Sequence, residues 1–161
     1  ARARCVAMTD VIPERLGLAR ELGAQIAFDP RDEDERERLL EAAGLAYGEF
    51  DVAFDAVGIT ATFQQALLAV RPGRMVVALG GWQTVSVNLG PLVAREINVR
   101  GAFNFTTAEF EEARRMLSSA AEASLDRIVT TSHPMMNGAD VFDQMVENRA
   151  ENIKVVLTSI T

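Results

Sequence analysis

Asp10 is the first residue whose type and position could do chemistry. It follows a strand-like run, Cys5–Thr9, and precedes a turn and a helix-like stretch that opens at Pro13. At that place in nucleotide-binding α/β folds a carboxylate accepts hydrogen bonds from the two hydroxyls of an adenosine ribose. It also repels a 2′-phosphate, which favours NAD over NADP. The competing role is a helix cap, since Asp10 stands three residues before Pro13 and could close the helix start. The residues alone leave both roles open.

Other chemistry-bearing residues sit at the ends of apolar runs. Phe50–Gly58 (FDVAFDAVG) reads as a buried strand that leaves the sheet through Gly58, with Asp51 near its start. Asp55 lies near the carboxyl end of that run, where open α/β sheets bind ligands. Its simpler role, which the pattern favours, is to fix the next loop or helix start. Arg71–Gly81 (RPGRMVVALGG) is a turn, a buried strand and a double glycine. Gly80 and Gly81 either admit a flat ligand close to the backbone or make a tight turn only. Lys154, at the edge of the apolar run Ile153–Leu157 (IKVVL), reaches a phosphate or snorkels to solvent. His133 precedes Pro134 in a loop-like segment and is expected to be structural or exposed. Cys5 is expected to be a small buried hydrophobe.

These residues need elements to hold them. Strand-like runs are Cys5–Thr9, Gln25–Phe28, Asp51–Ala56, Met75–Leu79, Ile97–Phe103 and Ile153–Leu157. Continuous apolar runs suit parallel strands covered on both faces. Helical patterns fill the intervals at Pro13–Leu22, Glu33–Ala43, Thr60–Val70, Ala108–Ser118 and Asp140–Glu147. Proline is tolerated in a first helical turn, and Gly23 and Gly44 are natural stops. Strand and helix in alternation predict an α/β fold with an open, doubly wound parallel sheet of Rossmann type. The charged run Asp29–Arg38 mixes both signs and reads as the solvated start of a helix. Thr84–Asn88 (TVSVN) alternates apolar and polar residues and predicts a short edge strand. It carries no charge or proline to block pairing, so it offers an edge to a second copy of the chain.

Composition excludes several function classes. The chain has 161 residues, 48% hydrophobic and 24% charged, which suits one globular domain and not a disordered segment. No apolar run approaches the roughly 18 residues that a membrane-spanning helix needs. A net charge of −7 draws the surface neither to nucleic acid nor to anionic lipid. One cysteine excludes an internal disulfide and a multi-thiolate metal site, and one histidine speaks against a self-contained zinc site and gives little support for a Ser-His-Asp triad. No catalytic residue and no metal ligand is therefore assigned. The pattern, with no long apolar leader visible, is expected of a cytoplasmic protein or a piece of one. No G-x-G-x-x-G occurs, although that fingerprint should precede Asp10 by roughly 20 residues. Either the fold lacks the phosphate loop or the chain starts downstream of it. The opening Ala-Arg-Ala-Arg looks like the end of a helix, which favours the second.

In order, TDVIPERLGLARELGA, FDVAFDAVG, ALLAVRPGRMVVALG, REINVRGAF and IKVVL resemble the cofactor domain of the medium-chain dehydrogenase/reductase family. The nearest likeness is to its zinc-dependent alcohol and polyol dehydrogenases, such as sorbitol and butanediol dehydrogenases. The likeness covers nearly all of residues 1–161, which are then a partial dinucleotide-binding domain, incomplete at its amino-terminal end. By this resemblance NAD is the cofactor. Asp10 binds the adenosine ribose, with Arg15 beside it. Ala56, Val57 and Gly58 flank the adenine, and Leu79, Gly80 and Gly81 run past the nicotinamide. Phe103 and Asn104 offer backbone contacts to the carboxamide, and Lys154 reaches the pyrophosphate. Asn104 stands where polyol dehydrogenases often carry arginine, which speaks against a polyol. Arg74 replaces the second glycine of a usual Pro-Gly-Gly turn. The resemblance also implies that zinc, the proton relay and the alcohol substrate belong to a catalytic domain outside this chain. It implies a homo-oligomer joined through residues 84–88. Two rival readings are a methyltransferase using S-adenosylmethionine, which shares the Asp10 and RPGRMVV features, and a non-catalytic nucleotide-sensing module.

Overall fold

Helix-length stretches between short apolar runs make every strand pairing among the described residues parallel. The computed structural model describes residues 3–46, 48–81, 83–119, 126–147 and 152–159. They divide into two compact units, residues 1–39 with 107–161, and residues 40–106. The expected α/β class with parallel strands is present. Its strands pair as three ladders, β1-β2, β3-β4-β5 and β6-β7.

In the first unit β1 (Ala7–Thr9) pairs with β2 (Ile26–Phe28) across α1 (Pro13–Glu21). Pro13 opens the helix and Gly23, at φ +102°, ends it, because an L side chain resists that left-handed backbone. Leu16 and Ala19 of α1 bury against Ala27 of β2. Gln25 ties the ends together, accepting from the Val6 N–H at 2.7 Å and donating to the Gly23 carbonyl at 2.7 Å. The charged run does begin a helix, α2 (Glu33–Ala42), with Asp32 accepting from the Glu35 N–H at 2.8 Å and acidic residues in its first turn. Later in the unit come α5 (Thr107–Ser119), β6 (Val129–Pro134), α6 (Gly138–Glu147) and β7 (Lys154–Thr158). β6 corrects the loop expected around His133, which instead stands in a strand opposite Leu157.

The second unit is built on β3 (Phe50–Asp55), α3 (Thr60–Ala69), β4 (Val70–Ala78), α4 (Leu89–Ala94) and β5 (Asn98–Gly101), in sheet order β3-β4-β5. Leu67, Val70, Val76 and Ile97 form its core, with Ala53, Phe63, Val87 and Leu92 packed around them. β4 starts at Val70, earlier than the apolar pattern predicts, and its register shifts across Pro72-Gly73. Proline removes a ladder donor there, and Gly73 instead donates to the Arg95 carbonyl at 2.8 Å. The predicted edge strand is overturned: Thr84–Asn88 forms no strand. The Ser86 N–H is taken by the Thr60 hydroxyl at 3.1 Å, Val87 packs on the core, and Asn88 caps α4 by accepting from the Gly90 N–H.

Candidate functional site

The residues singled out for binding fall in both units. In the first, Asp10 directly follows β1 and is about four-fifths buried along its side chain. Its Oδ1 accepts from the Ile12 N–H at 3.0 Å. The N-cap of α1 is Ile12, which has no side-chain cap bond. Asp10 therefore closes a turn ahead of the helix and is not its N-cap. Arg15, one turn into α1, brings Nη1 to 3.6 Å from Asp10 Oδ2. The pair leaves a carboxylate fixed at a strand's carboxyl end, with one oxygen engaged by the backbone and the other beside a guanidinium. Lys154 opens β7, is exposed, and forms no ion pair among the described residues. The structure brings Arg15 to Asp10 and does not bring Lys154 to either. Cys5 is a free thiol and only half-buried.

In the second unit three turns leave the carboxyl ends of adjacent parallel strands, the end at which open α/β sheets bind ligands. Ala56–Gly58 follows β3, Leu79–Gly81 follows β4, and Ala102–Asn104 follows β5. Asp55, 3% exposed, joins the first two. Its Oδ1 accepts from the N–H groups of Val57 at 3.1 Å and Gly58 at 3.0 Å. Its main-chain carbonyl accepts from Leu79 at 2.9 Å and Gly80 at 3.0 Å. The third turn is tied on by the Ala102 N–H, which donates to the Ala78 carbonyl at 3.0 Å.

The glycines have a definite steric role. A Cβ on Gly80 would lie 2.5 Å from the Ala56 carbonyl oxygen, and one on Gly58 would strike the Gly80–Gly81 backbone. Gly58 and Gly81 also sit at φ +75° and +106°, where side chains are strained. What these glycines admit is first of all each other's backbone. Val57 and Leu79 stay exposed on the paired turns, giving an apolar lining suited to a flat ring. Asn104 adopts φ +55° between the exposed Phe103 and Phe105, a left-handed conformation that asparagine tolerates better than most residues.

Taken unit by unit, the first offers the Asp10 carboxylate and the second the apolar edges of Val57 and Leu79. Among the described candidate residues, none is a nucleophile paired with a base. Asp51 joins Arg71 and Arg74 in a surface ion-pair group away from this chemistry. Among the described residues no group of three or more His, Cys, Asp or Glu is placed to hold a metal. Cys5 and His133, the one cysteine and one histidine of the sequence, belong to no such group, so the described residues do not fit a catalytic zinc site. The sequence missed Arg95, whose guanidinium donates to the carbonyls of Val70, Leu68, Gly48 and Leu67. Its position in the charged motif REINVR carried no signal for that role.

Residues 1–119 match the profile of a family described as zinc-binding dehydrogenase. Sorbitol dehydrogenase of Gallus gallus is 26% identical over 156 residues, covering 96% of this chain and 43% of that enzyme. Among solved structures, an alcohol dehydrogenase from Thermotoga maritima has TM-score 0.81 at 20% identity, covering 96% of this chain and 43% of that one. An Escherichia coli CFT073 protein described as a short chain alcohol dehydrogenase, complexed with NADH, has TM-score 0.78 at 19% identity and covers 97% of this chain and 45% of that one. These structural likenesses establish the fold, and the chain spans under half the length of the relatives it matches. None of these relatives is a methyltransferase. The profile covers about three quarters of the sequence and the parallel α/β fold agrees with it, so the chain belongs to the zinc-binding dehydrogenase family.

Proposed function

We propose that this chain is the nicotinamide-cofactor-binding portion of a longer alcohol dehydrogenase, one that passes hydride between NAD and a primary or secondary alcohol. The observation that carries the reading is Asp10: a carboxylate pinned at the carboxyl end of β1 by the Ile12 N–H, with Arg15 beside its second oxygen. A vicinal diol offers two donors to such a group, and a 2′-phosphate is repelled by it. The family match and an NADH-complexed neighbour of the same fold support the same cofactor.

In this reading residues 1–161 form one partial dinucleotide-binding domain. Asp10 accepts from the ribose hydroxyls, and Arg15 holds the carboxylate in place. Lys154 meets the pyrophosphate as a point charge. Ala56, Val57 and Gly58 line the adenine. Leu79, Gly80 and Gly81 line the nicotinamide, whose carboxamide takes backbone contacts from Phe103 and Asn104. The bound nicotinamide supplies the hydride acceptor. The chain's own part is to orient that ring and shield it from water with apolar edges. Zinc and the alcohol pocket are assigned to sequence outside this chain.

A cytoplasmic setting is part of the proposal, and the single unpaired cysteine suits a reducing compartment. So is a homo-oligomer, now without a preformed strand at 84–88; light scattering at micromolar concentration tests it, and a monomeric mass overturns it. The decisive test of function is fluorescence titration of the full-length polypeptide with NADH and NADPH. Wild type is expected to favour NADH, and Asp10→Ser to narrow the preference. A wild type that prefers NADPH refutes the assignment.

A further inference from the structure

We infer that Asp55 is a positioning residue that sets the spacing of the two cofactor-lining turns, an inference that rests on the cofactor reading above. One residue supplies acceptors to both turns. Its carboxylate Oδ1 holds Val57 and Gly58 at 3.1 and 3.0 Å. Its carbonyl holds Leu79 and Gly80 at 2.9 and 3.0 Å. A carboxylate makes such N–H bonds stronger than a neutral acceptor would.

The turns have no slack against each other. Gly58, Gly80 and Gly81 already meet backbone to backbone, at separations that leave no space for a methyl group. A displacement of the first turn therefore pushes on the second. Loss of the side-chain bonds frees Val57 and Gly58, and the gap that receives a flat ring changes with them. Asp55 is buried at the end of β3, apart from the apolar cluster of Leu67, Val70, Val76 and Ile97 with Ala66. Its Oδ2 is buried without a hydrogen-bond partner. A residue kept only for stability gains little from that orphaned oxygen. The two bonds of Oδ1 are what the position uses, and an asparagine oxygen can accept both.

The experiment compares four forms of the full-length polypeptide: wild type, Asp55→Ala, Asp55→Asn and Arg95→Met. NADH affinity is read by fluorescence and folding by thermal melting. Arg95→Met weakens the same unit without touching either turn. Asp55→Ala is expected to bind NADH about tenfold more weakly, because part of the binding free energy is then used to re-order the freed turn. Asp55→Asn, which keeps the Oδ1 acceptor, is expected to recover affinity to within about threefold of wild type. Arg95→Met is expected to melt earlier and bind NADH as wild type does. In turnover, Asp55→Ala raises KM for NAD while kcat at saturating NAD is kept. If Asp55→Ala does not fold, Asp55→Ser, with one hydroxyl acceptor, takes its place and is expected to fall between the other two. The inference is overturned if folded Asp55→Ala binds NADH as wild type does, or if affinity falls in step with melting temperature across Asp55→Ala and Arg95→Met. A wild type that binds no NADH overturns the cofactor reading itself, an outcome distinct from failure of the variants alone.

Discussion

Replacing Arg95 by methionine keeps an apolar stem and removes the guanidinium. That group donates to the Val70 carbonyl at 2.5 Å, Leu68 at 3.2 Å, Gly48 at 3.3 Å and Leu67 at 3.4 Å. Leu67 and Leu68 lie in the last turn of α3, whose carbonyls have no partner within the helix. The charge also faces the negative end of the helix dipole. The two shorter bonds, at about 1–1.5 kcal/mol each for a charged donor on a half-exposed side chain, give about 2–3 kcal/mol. The dipole adds about 0.5 kcal/mol, and the two longer bonds little more. The loss is then about 3 kcal/mol. For a chain of this size each kcal/mol moves the melting temperature by roughly 2–4 °C, so the variant melts roughly 6–12 °C early. Differential scanning calorimetry on the 161-residue chain reads the shift. Arg95→Lys, a single point donor that cannot fork across several carbonyls, falls between. A methionine variant that melts within about 2 °C of wild type refutes the argument that this guanidinium ends α3.

Gly80→Ala places a Cβ 2.5 Å from the Ala56 oxygen and 2.7 Å from the Val57 carbonyl carbon. Backbone must move, at a cost of about 1–3 kcal/mol, so both melting temperature and NADH affinity fall; an unchanged melt means the turns do not touch in solution. Asp29 titrates below the usual carboxylate range because the Arg31 side chain, and then its backbone N–H, hydrogen-bonds the ionised form. A lowered folded value means that this surface pair's contribution is fully present above the unfolded carboxylate value and is lost as pH falls through the folded one. Carboxyl-carbon NMR should show Arg31→Ala raising the Asp29 titration toward its ordinary value, and an unmoved midpoint contradicts the pairing.

Strands marked by β-branched and aromatic residues were legible even where, as at Val52 and Phe54, those side chains are exposed, and β6, carried by main chain, was not. Phe50–Asp55 and Met75–Ala78 announce themselves through β-branched and aromatic residues, and both lie in the three-stranded ladder. β6 reads VTTSHP, polar from Thr130 onward and ending in proline. Its ladder to β7 rests on backbone bonds, with the Thr130 hydroxyl donating to the Lys154 carbonyl at 3.1 Å. No hydrophobic period records that. α4 was hidden by Gly90 and Pro91, which act as breakers in most contexts; here Pro91 stands in the first turn, where a missing N–H costs nothing.

Residues 84–88 show how a correct period can give a wrong element. Val85 and Val87 do alternate with more exposed neighbours. Packing of the partly buried Val87 on the core cluster needs only an extended backbone, not a ladder partner. The Ser86 N–H then finds the Thr60 hydroxyl in place of a neighbouring strand. The double glycine poses the same difficulty in another form. An absent Cβ leaves one signal in the sequence whether the cleared space holds a ligand or another stretch of backbone. At Gly58 and Gly80 it holds backbone, as the carbonyl 2.5 Å from the Gly80 Cβ position shows. Ring binding at these turns therefore depends on the surfaces the glycines bring together, Val57 and Leu79, more than on space the glycines leave open.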